Sequence, residues 1–371
     1  MPGKPVGRTF PPISNEAHLS RAIGVARVLC IMGIVYVHAW TGRNGADLNA
    51  LSHTPQGMLR WALVELLGRS SVPLLSMVSG WLVGPSLLRR GGRVFLADKA
   101  RSILAPMVLW NALAIILVSG AARAGFIYAP QPTSPGWVID ELLCLTRPDD
   151  INVQIPFLRD LFVCMMAAPL LNRCPDKGLW FVIAVALAGV MVPVAGPVLQ
   201  RPSILMFFVI GMLARRHDLA AWMGARPLRL MAMPYAVMAA LKIWLEVRDA
   251  GEPSMVMAGV IMAGVDLAMR GVTALFFWSL AWRLAKSRLA APLLRVEPYM
   301  FLMFCAHLIM IWLAGPAIGL VSGPIGAPLY PLFLLLQPLL VLGASLLLGR
   351  GLIRMAPGAA RVLSGGRLGR G

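Results

Sequence analysis

The stretch from Arg21 to Trp40, RAIGVARVLCIMGIVYVHAW, sets the terms for the whole chain. The nineteen residues after Arg21 carry one formal charge, Arg27, and one imidazole, His38. A run of that length and apolarity crosses a bilayer as a helix. An arginine inside such a helix is costly and is kept for a partner or a task. Arg27 and His38 lie eleven residues apart. At about 100° per residue they return to within roughly 20° of one face, about 16 Å apart along the axis. One face thus holds a cation near one leaflet and a base near the other. A plain ion pair for Arg27 and a wet interfacial seat for His38 are the simpler reading; ionisable groups at this depth favour a functional line.

Runs of the same kind recur, which predicts an all-α, polytopic helical membrane protein of about ten transmembrane helices. The expected spans are 21–40, 62–87, 102–121, 155–172, 178–198, 202–214, 228–247, 270–286, 298–317 and 328–349. Hydrophobic residues make up 58%, charged residues 13%, and mean hydropathy is +0.74. A soluble domain carries about 25% charge. The runs do not alternate, so helices rather than a barrel satisfy the backbone. The stretch 254–269 makes one span too long, so it is expected as an interfacial or re-entrant piece with Asp266 and Arg270 as an i,i+4 pair. Connection 315–328 is Gly/Pro-rich and uncharged. Loop 122–154, with Pro130, Pro132, Pro135 and Trp137, is long enough to serve a site on its side.

The charge pattern orients the chain. Net charge is +18, and basic residues gather between spans, which points to membrane orientation rather than nucleic acid. Connections on one side hold 23 basic residues against six on the other. That split places both termini in the cytoplasm, Arg27 toward the inner leaflet and His38 toward the outer. Residues 1–20 form a cytoplasmic N-terminal segment without a cleavable-signal pattern, 21–350 a transmembrane domain, and 351–371 a basic cytoplasmic tail. Five cysteines without a CxxC pair predict neither a disulfide framework nor a zinc site. No internal repeat supports an inverted-repeat transporter.

His38 is the leading base, since imidazole takes and returns a proton near neutral pH. No serine or cysteine nucleophile elbow accompanies it, so direct attack by a bound hydroxyl is the simpler chemistry. Glu65 and Arg69, four residues apart in the His38 leaflet, form an ordinary helix pair, or Glu65 orients His38 and Arg69 helps bind substrate. His307 in the late span is either a satisfied core histidine or part of a site. Arg159 and Asp160 pair with neighbours or help hold an anionic group. Arg89, Arg90, Arg93, Lys99 and Arg101 read as positive-inside charge or as a phosphate-binding rim for a cytosolic anionic donor.

These residues carry a resemblance. Arg27-x10-His38 in a first span resembles the signature of the acyltransferase-3 family of bacterial membrane O-acyltransferases. SVPLLSMVSGWLV (71–83), KARSILAPMVLW (99–110), IPFLRDLFVCMMAAPLL (155–171), FFVIG (207–211) and YMFLMFCAHLIMIW (299–312) are similar to that family's segments, in the same order. The family's basic Arg-x-x-Arg is replaced by Lys99-Ala-Arg101-Ser102. The resemblance spans about 21–350. It implies transfer of an acyl group, acetyl by default, from cytosolic acyl-CoA to a hydroxyl of an extracytoplasmic glycan or exopolysaccharide. It makes His38 catalytic, and Arg27 with the Lys99/Arg101 edge the donor site. Acetyl-CoA is the expected donor, with no metal. The expected partners are the lipid bilayer, the glycan acceptor and polysaccharide-synthesis machinery, in a bacterial inner membrane. The alternatives are succinyl as the moved group, a lipid acceptor, or a transporter or flippase for a glycan or lipid-linked intermediate.

Overall fold

The computed structural model describes residues 13–43, 45–69, 71–146, 151–191, 198–248 and 256–369; for 13–15, 246–248 and 256–259 it describes the backbone alone. Lys4, Arg8, Arg147 and Arg370, part of the charge count, lie outside the described residues. Among those described, the secondary structure is helical, with no strand.

Among the described residues, seven helices are long and apolar enough to cross a membrane. The main elements are α1 (Ile13–Val37), α2 (Ser71–Arg90), α3 (Gly92–Arg123), α4 (Pro156–Leu171), α5 (Asp176–Met191), α6 (Pro202–Arg216), α7 (Leu228–Arg248), α8 (Val256–Leu284), α9 (Met300–Ser322) and α10 (Tyr330–Met355). Seven of the ten expected spans fall on the long apolar helices; the other three fall on α4, α5 and α6, which at 16, 16 and 15 residues are not among the seven. Proline opens α4 and α6, where its missing N–H costs nothing. The helix before α2 ends in a π-helical stretch, Leu63–Gly68, and α3 contains two more, Ala100–Leu104 and Ile115–Ser119.

Glycine sets the closest crossing. A Cβ on Gly211 of α6 would stand 2.0 Å from the Met77 carbonyl oxygen of α2, and one on Gly80 1.9 Å from that of Phe208. Without a hydrophobic drive between helices in lipid, such backbone approach supplies the packing. Gly211→Ala is therefore expected to destabilise by about 1–3 kcal/mol. Gly343→Ala, where nothing lies within 4 Å, is expected to be neutral or slightly stabilising. Thermal melting in detergent compares the two; equal midpoints would contradict the crossing.

Two expectations are corrected here. Residues 256–269 are not a separate re-entrant piece, 254 and 255 lying outside the described residues: α8 is one helix of 29 residues without a proline. Its length of about 44 Å exceeds the hydrocarbon core, so it tilts or projects. Asp266 makes its ion pair with Lys242 of α7 at 2.6 Å. The connection 315–328 is helical as far as Ser322, through Gly315 and Pro316. Gly315 and Gly319 face the indole of Trp40: a Cβ there would come within 2.9 and 3.2 Å of it. The glycines thus make room for a side chain. Gly323, at φ +69°, ends the helix.

The residues expected as a basic tail fold back onto the bundle. Pro357–Leu363 is helical, and Trp110 of α3 donates its indole N–H to the Leu363 carbonyl at 3.0 Å. The turn after it brings Arg367 over the Phe301 ring of α9 at 4.0 Å. In loop 122–154, Pro135–Leu143 forms a helix capped by the Ser134 hydroxyl. Buried amides tie the end of that loop down. Asn152 donates to the Trp110 carbonyl and to Asn111, and Gln154 reaches the Cys305 carbonyl of α9.

Candidate active site

α1 touches two cavities with its one polar face. Arg27 lines the first, of about 150 Å³, with Lys99, Glu297 and Arg367, against an apolar wall that includes Ile31, Phe157 and Phe304. Three cations face one carboxylate. Arg27 Nη1 donates to Glu297 Oε1 at 2.9 Å, and the cations of the lining outnumber its carboxylates. His38 lines the second cavity, of about 800 Å³, with Trp40, Arg43, Tyr128, Val153 and Trp312. This one opens among the end of α1, loop 122–154 and the later half of α9.

The wall between them is thin. Along the chain it runs from Ile31 of α1, which lines the first cavity, to His38 in the turn that follows the helix, which lines the second. On α9 it runs only from Phe304 to Leu308, about one helical turn or 6 Å. His307 sits in that turn, fully buried, with its ring centroid 5.4 Å from that of His38. The eleven-residue spacing thus becomes a path: a basic chamber beside the second half of α1, an imidazole pair at the partition, and a wider chamber beyond the end of the helix. Arg201, just before α6, lies within electrostatic range of His38.

The structure brings Arg27, Lys99, His38 and His307 to this path. It places the other expected residues elsewhere. Glu65 does not orient His38: its carboxylate is engaged by Arg69 Nε at 2.9 Å and by the Lys242 ammonium. Lys242 is buried, so the carboxylate turns toward α7 and α8. Arg69 belongs to that same cluster rather than to a substrate site. Asp160 is fully buried; it pairs with Arg159 at 2.6 Å and accepts the backbone N–H groups of Gln200 and Arg201 at 3.3 and 2.8 Å. Two main-chain donors just before α6 are satisfied this way, so the Arg159–Asp160 pair holds a helix start. Arg89, Arg90 and Arg101 are exposed and do not line the basic cavity, and Arg90 pairs with Asp98.

Two residues of the basic cavity escape a reading by segment. Arg367 sits in what reads as a tail. Glu297 is an isolated acid ahead of the late span, and that isolation among basic neighbours was its only signal in the sequence. Trp40 and Trp312 flank His38 in the wider cavity, with the Trp312 N–H bound to the Ile151 carbonyl at 3.1 Å.

Comparison with known proteins decides the family. A family model described as an acyltransferase domain matches residues 20–349, nearly the whole chain. The chain belongs to the acyltransferase-3 family. It is an acyltransferase of a group other than aminoacyl, in a multi-pass membrane frame. The succinoglycan biosynthesis protein ExoH of Rhizobium meliloti (strain 1021) is 28% identical over an alignment of 385 residues, covering 95% of this chain and 94% of ExoH. No solved structure matches. Within this acyltransferase-3 chain, four of the five family segments quoted from the sequence line the two cavities: 71–83 gives Leu75 and Ser79, 99–110 gives Lys99 and Ile103, 155–171 gives Phe157 and Leu158, and 299–312 gives Phe304, Leu308 and Trp312, while 207–211 lines neither.

Proposed function

We propose that this acyltransferase moves an acyl group, acetyl in the first instance, from acyl-CoA bound at the basic cavity to a hydroxyl of a polysaccharide entering the wider cavity, with His38 as general base. The observation that carries the reading is the placement of Arg27 and His38 in two chambers that one turn of α9 separates. The basic chamber suits a donor bearing phosphates, because its cations exceed its carboxylates. A pantetheine arm is comparable in length to the roughly 16 Å between Arg27 and His38, so an anchored donor reaches the partition with its thioester. The wider chamber, rimmed by Trp40, Tyr128 and Trp312, offers aromatic faces to a sugar. The name of the relative ExoH, a succinoglycan biosynthesis protein, favours a polysaccharide over a lipid acceptor.

In this reading the basic end faces the cytoplasm of a bacterial inner membrane, with both termini on that side; the distribution of lysine and arginine supports it. His38 takes the hydroxyl proton as the oxygen attacks the thioester carbon, and returns it to the departing thiolate.

Donor affinity tests the division of labour. Arg27→Gln and Arg367→Gln are each expected to raise KM for acetyl-CoA about tenfold or more, the worth of a charge-assisted hydrogen bond, with kcat changed less. Steady-state thiol release by the purified protein measures both constants. A fall in kcat with KM unchanged in both variants would place the donor elsewhere.

A further inference from the structure

We propose that His307 is the positioning partner of His38. Its Nε2 accepts a hydrogen bond from the His38 ring and leaves the other His38 nitrogen free to act as base in the wider cavity. The proposal rests on the acyl-transfer reading above and names what orients the base in it.

The His307 ring is fully buried on α9. Its Nδ1 stands 2.8 Å from the Phe304 carbonyl oxygen and 3.2 Å from that of Met303. Carbonyl oxygens only accept, so the neutral ring carries its proton on Nδ1. Nε2 is then a bare acceptor. It is buried and has no hydrogen-bond partner. Buried polar atoms are almost always paired, so an open acceptor at this depth calls for a donor. The neighbouring ring that has an N–H to offer is His38, with centroids 5.4 Å apart and planes at 44°. Phe304, also close at 6.2 Å, has none. A ring nitrogen lies roughly 1 Å from its ring centroid, so the 5.4 Å between centroids leaves room for a nitrogen-to-nitrogen hydrogen bond of about 3 Å when the two nitrogens face each other.

The usual orienting group for a catalytic imidazole is a carboxylate. Here Glu65 is taken by Lys242 and Arg69. Among the described residues, those lining the His38 cavity include no aspartate or glutamate. A neutral imidazole fills the role without adding a charge to the partition. It is fixed in turn by main-chain carbonyls of its own helix, which do not move with the substrate.

The proton count closes. The acceptor hydroxyl gives its proton to the free nitrogen of His38, its oxygen bonds to the thioester carbon, and the carbon–sulfur bond breaks. His38 hands the proton to the thiolate. While His38 is imidazolium, its second N–H remains donated to His307 Nε2. His307 gains and loses no proton.

The test uses the purified full chain in detergent with 15N-labelled histidine and acetyl-CoA as probe, water serving as acyl acceptor. In the wild type, ring 15N shifts are expected to show His307 protonated on Nδ1 and His38 in one tautomer. In His307→Ala, His38 is expected to average between tautomers. In the same variant kcat for thiol release is expected to fall about 100-fold, with KM for acetyl-CoA within about twofold. His307→Gln, whose amide oxygen accepts in place of Nε2, is expected to restore a single His38 tautomer and part of kcat. Where alanine leaves the bundle unfolded, His307→Met, which fills the space without an acceptor nitrogen, carries the same expectation. An unchanged His38 tautomer in the alanine or methionine variant, or an unchanged kcat, overturns the proposal. Wild-type protein that releases no thiol overturns the acyl-transfer reading instead, and the 15N spectra still decide the histidine pair.

Discussion

His38→Ala is expected to lower acyl transfer by about a thousandfold or more, with acetyl-CoA binding retained. General base catalysis by a positioned imidazole is worth about 10²–10⁴ in rate, which is about 3–5 kcal/mol of barrier. The loss should fall at the upper end, because no second base lines the same cavity: its other described polar side chains are Trp40, Thr41, Arg43, Tyr128 and Trp312. Donor binding should survive because the basic chamber is built by Arg27, Lys99, Glu297 and Arg367 on the far side of the α9 turn. Isothermal titration with a non-hydrolysable acetyl-CoA analogue, alongside a turnover assay, separates the two. Loss of binding equal to the loss of rate would merge the chambers into one site and end the division of roles.

The second large effect concerns stability. Lys242 is 3% exposed and bridges Glu65, 7% exposed, and Asp266, 30% exposed. Its ammonium ties α7 and α8 to the π-helical stretch ahead of α2. Lys242→Met removes the shared cation, leaving the buried Glu65 carboxylate to Arg69 alone and taking away the ion pair of Asp266. Breaking a buried pair from one side costs about 3–5 kcal/mol. The variant is expected to melt well below wild type in detergent and to elute largely aggregated. The triple variant Lys242→Met, Glu65→Gln, Asp266→Asn removes the charges together and should recover much of the loss, since a buried ionic cluster is replaceable where one half of it is not. A triple variant as unstable as the single one would show that the effect is packing around Lys242, not charge.

The sequence showed some of this plainly and hid the rest for physical reasons. Helical spans were legible because lipid permits few other structures and apolar runs of about 20 residues are long signals. The Arg27–His38 line was legible because it lies on one helix, where the helical repeat alone fixes which residues share a face. Contacts between helices were not legible. Glu65 lies in the same leaflet as His38, and only the fold shows its carboxylate turned to Lys242, a residue 177 positions away. Arg367 looked like tail charge because positive-inside counting weighs residues without placing them; its seat over Phe301 depends on how Pro357–Leu363 folds back. Asp160 offered a charge beside Arg159, and its work at the start of α6 appears only when Gln200 and Arg201 arrive beside it. The Gly/Pro-rich 315–322 stretch reads as part of a connection because Trp40, the side chain its glycines accommodate, lies past the end of α1, far away in sequence.

The central claim is a transfer across the membrane along α1, and a sided assay tests it most directly. The purified protein is reconstituted into sealed vesicles with its orientation fixed by selective protease access. Radiolabelled acetyl-CoA is supplied at the basic face and a polysaccharide acceptor is enclosed at the opposite one. The expected result is label on the enclosed polysaccharide for wild type and none for His38→Ala, with no transfer when donor and acceptor exchange sides. Label on polysaccharide offered at the donor's own face, or equal labelling by wild type and His38→Ala, would contradict it.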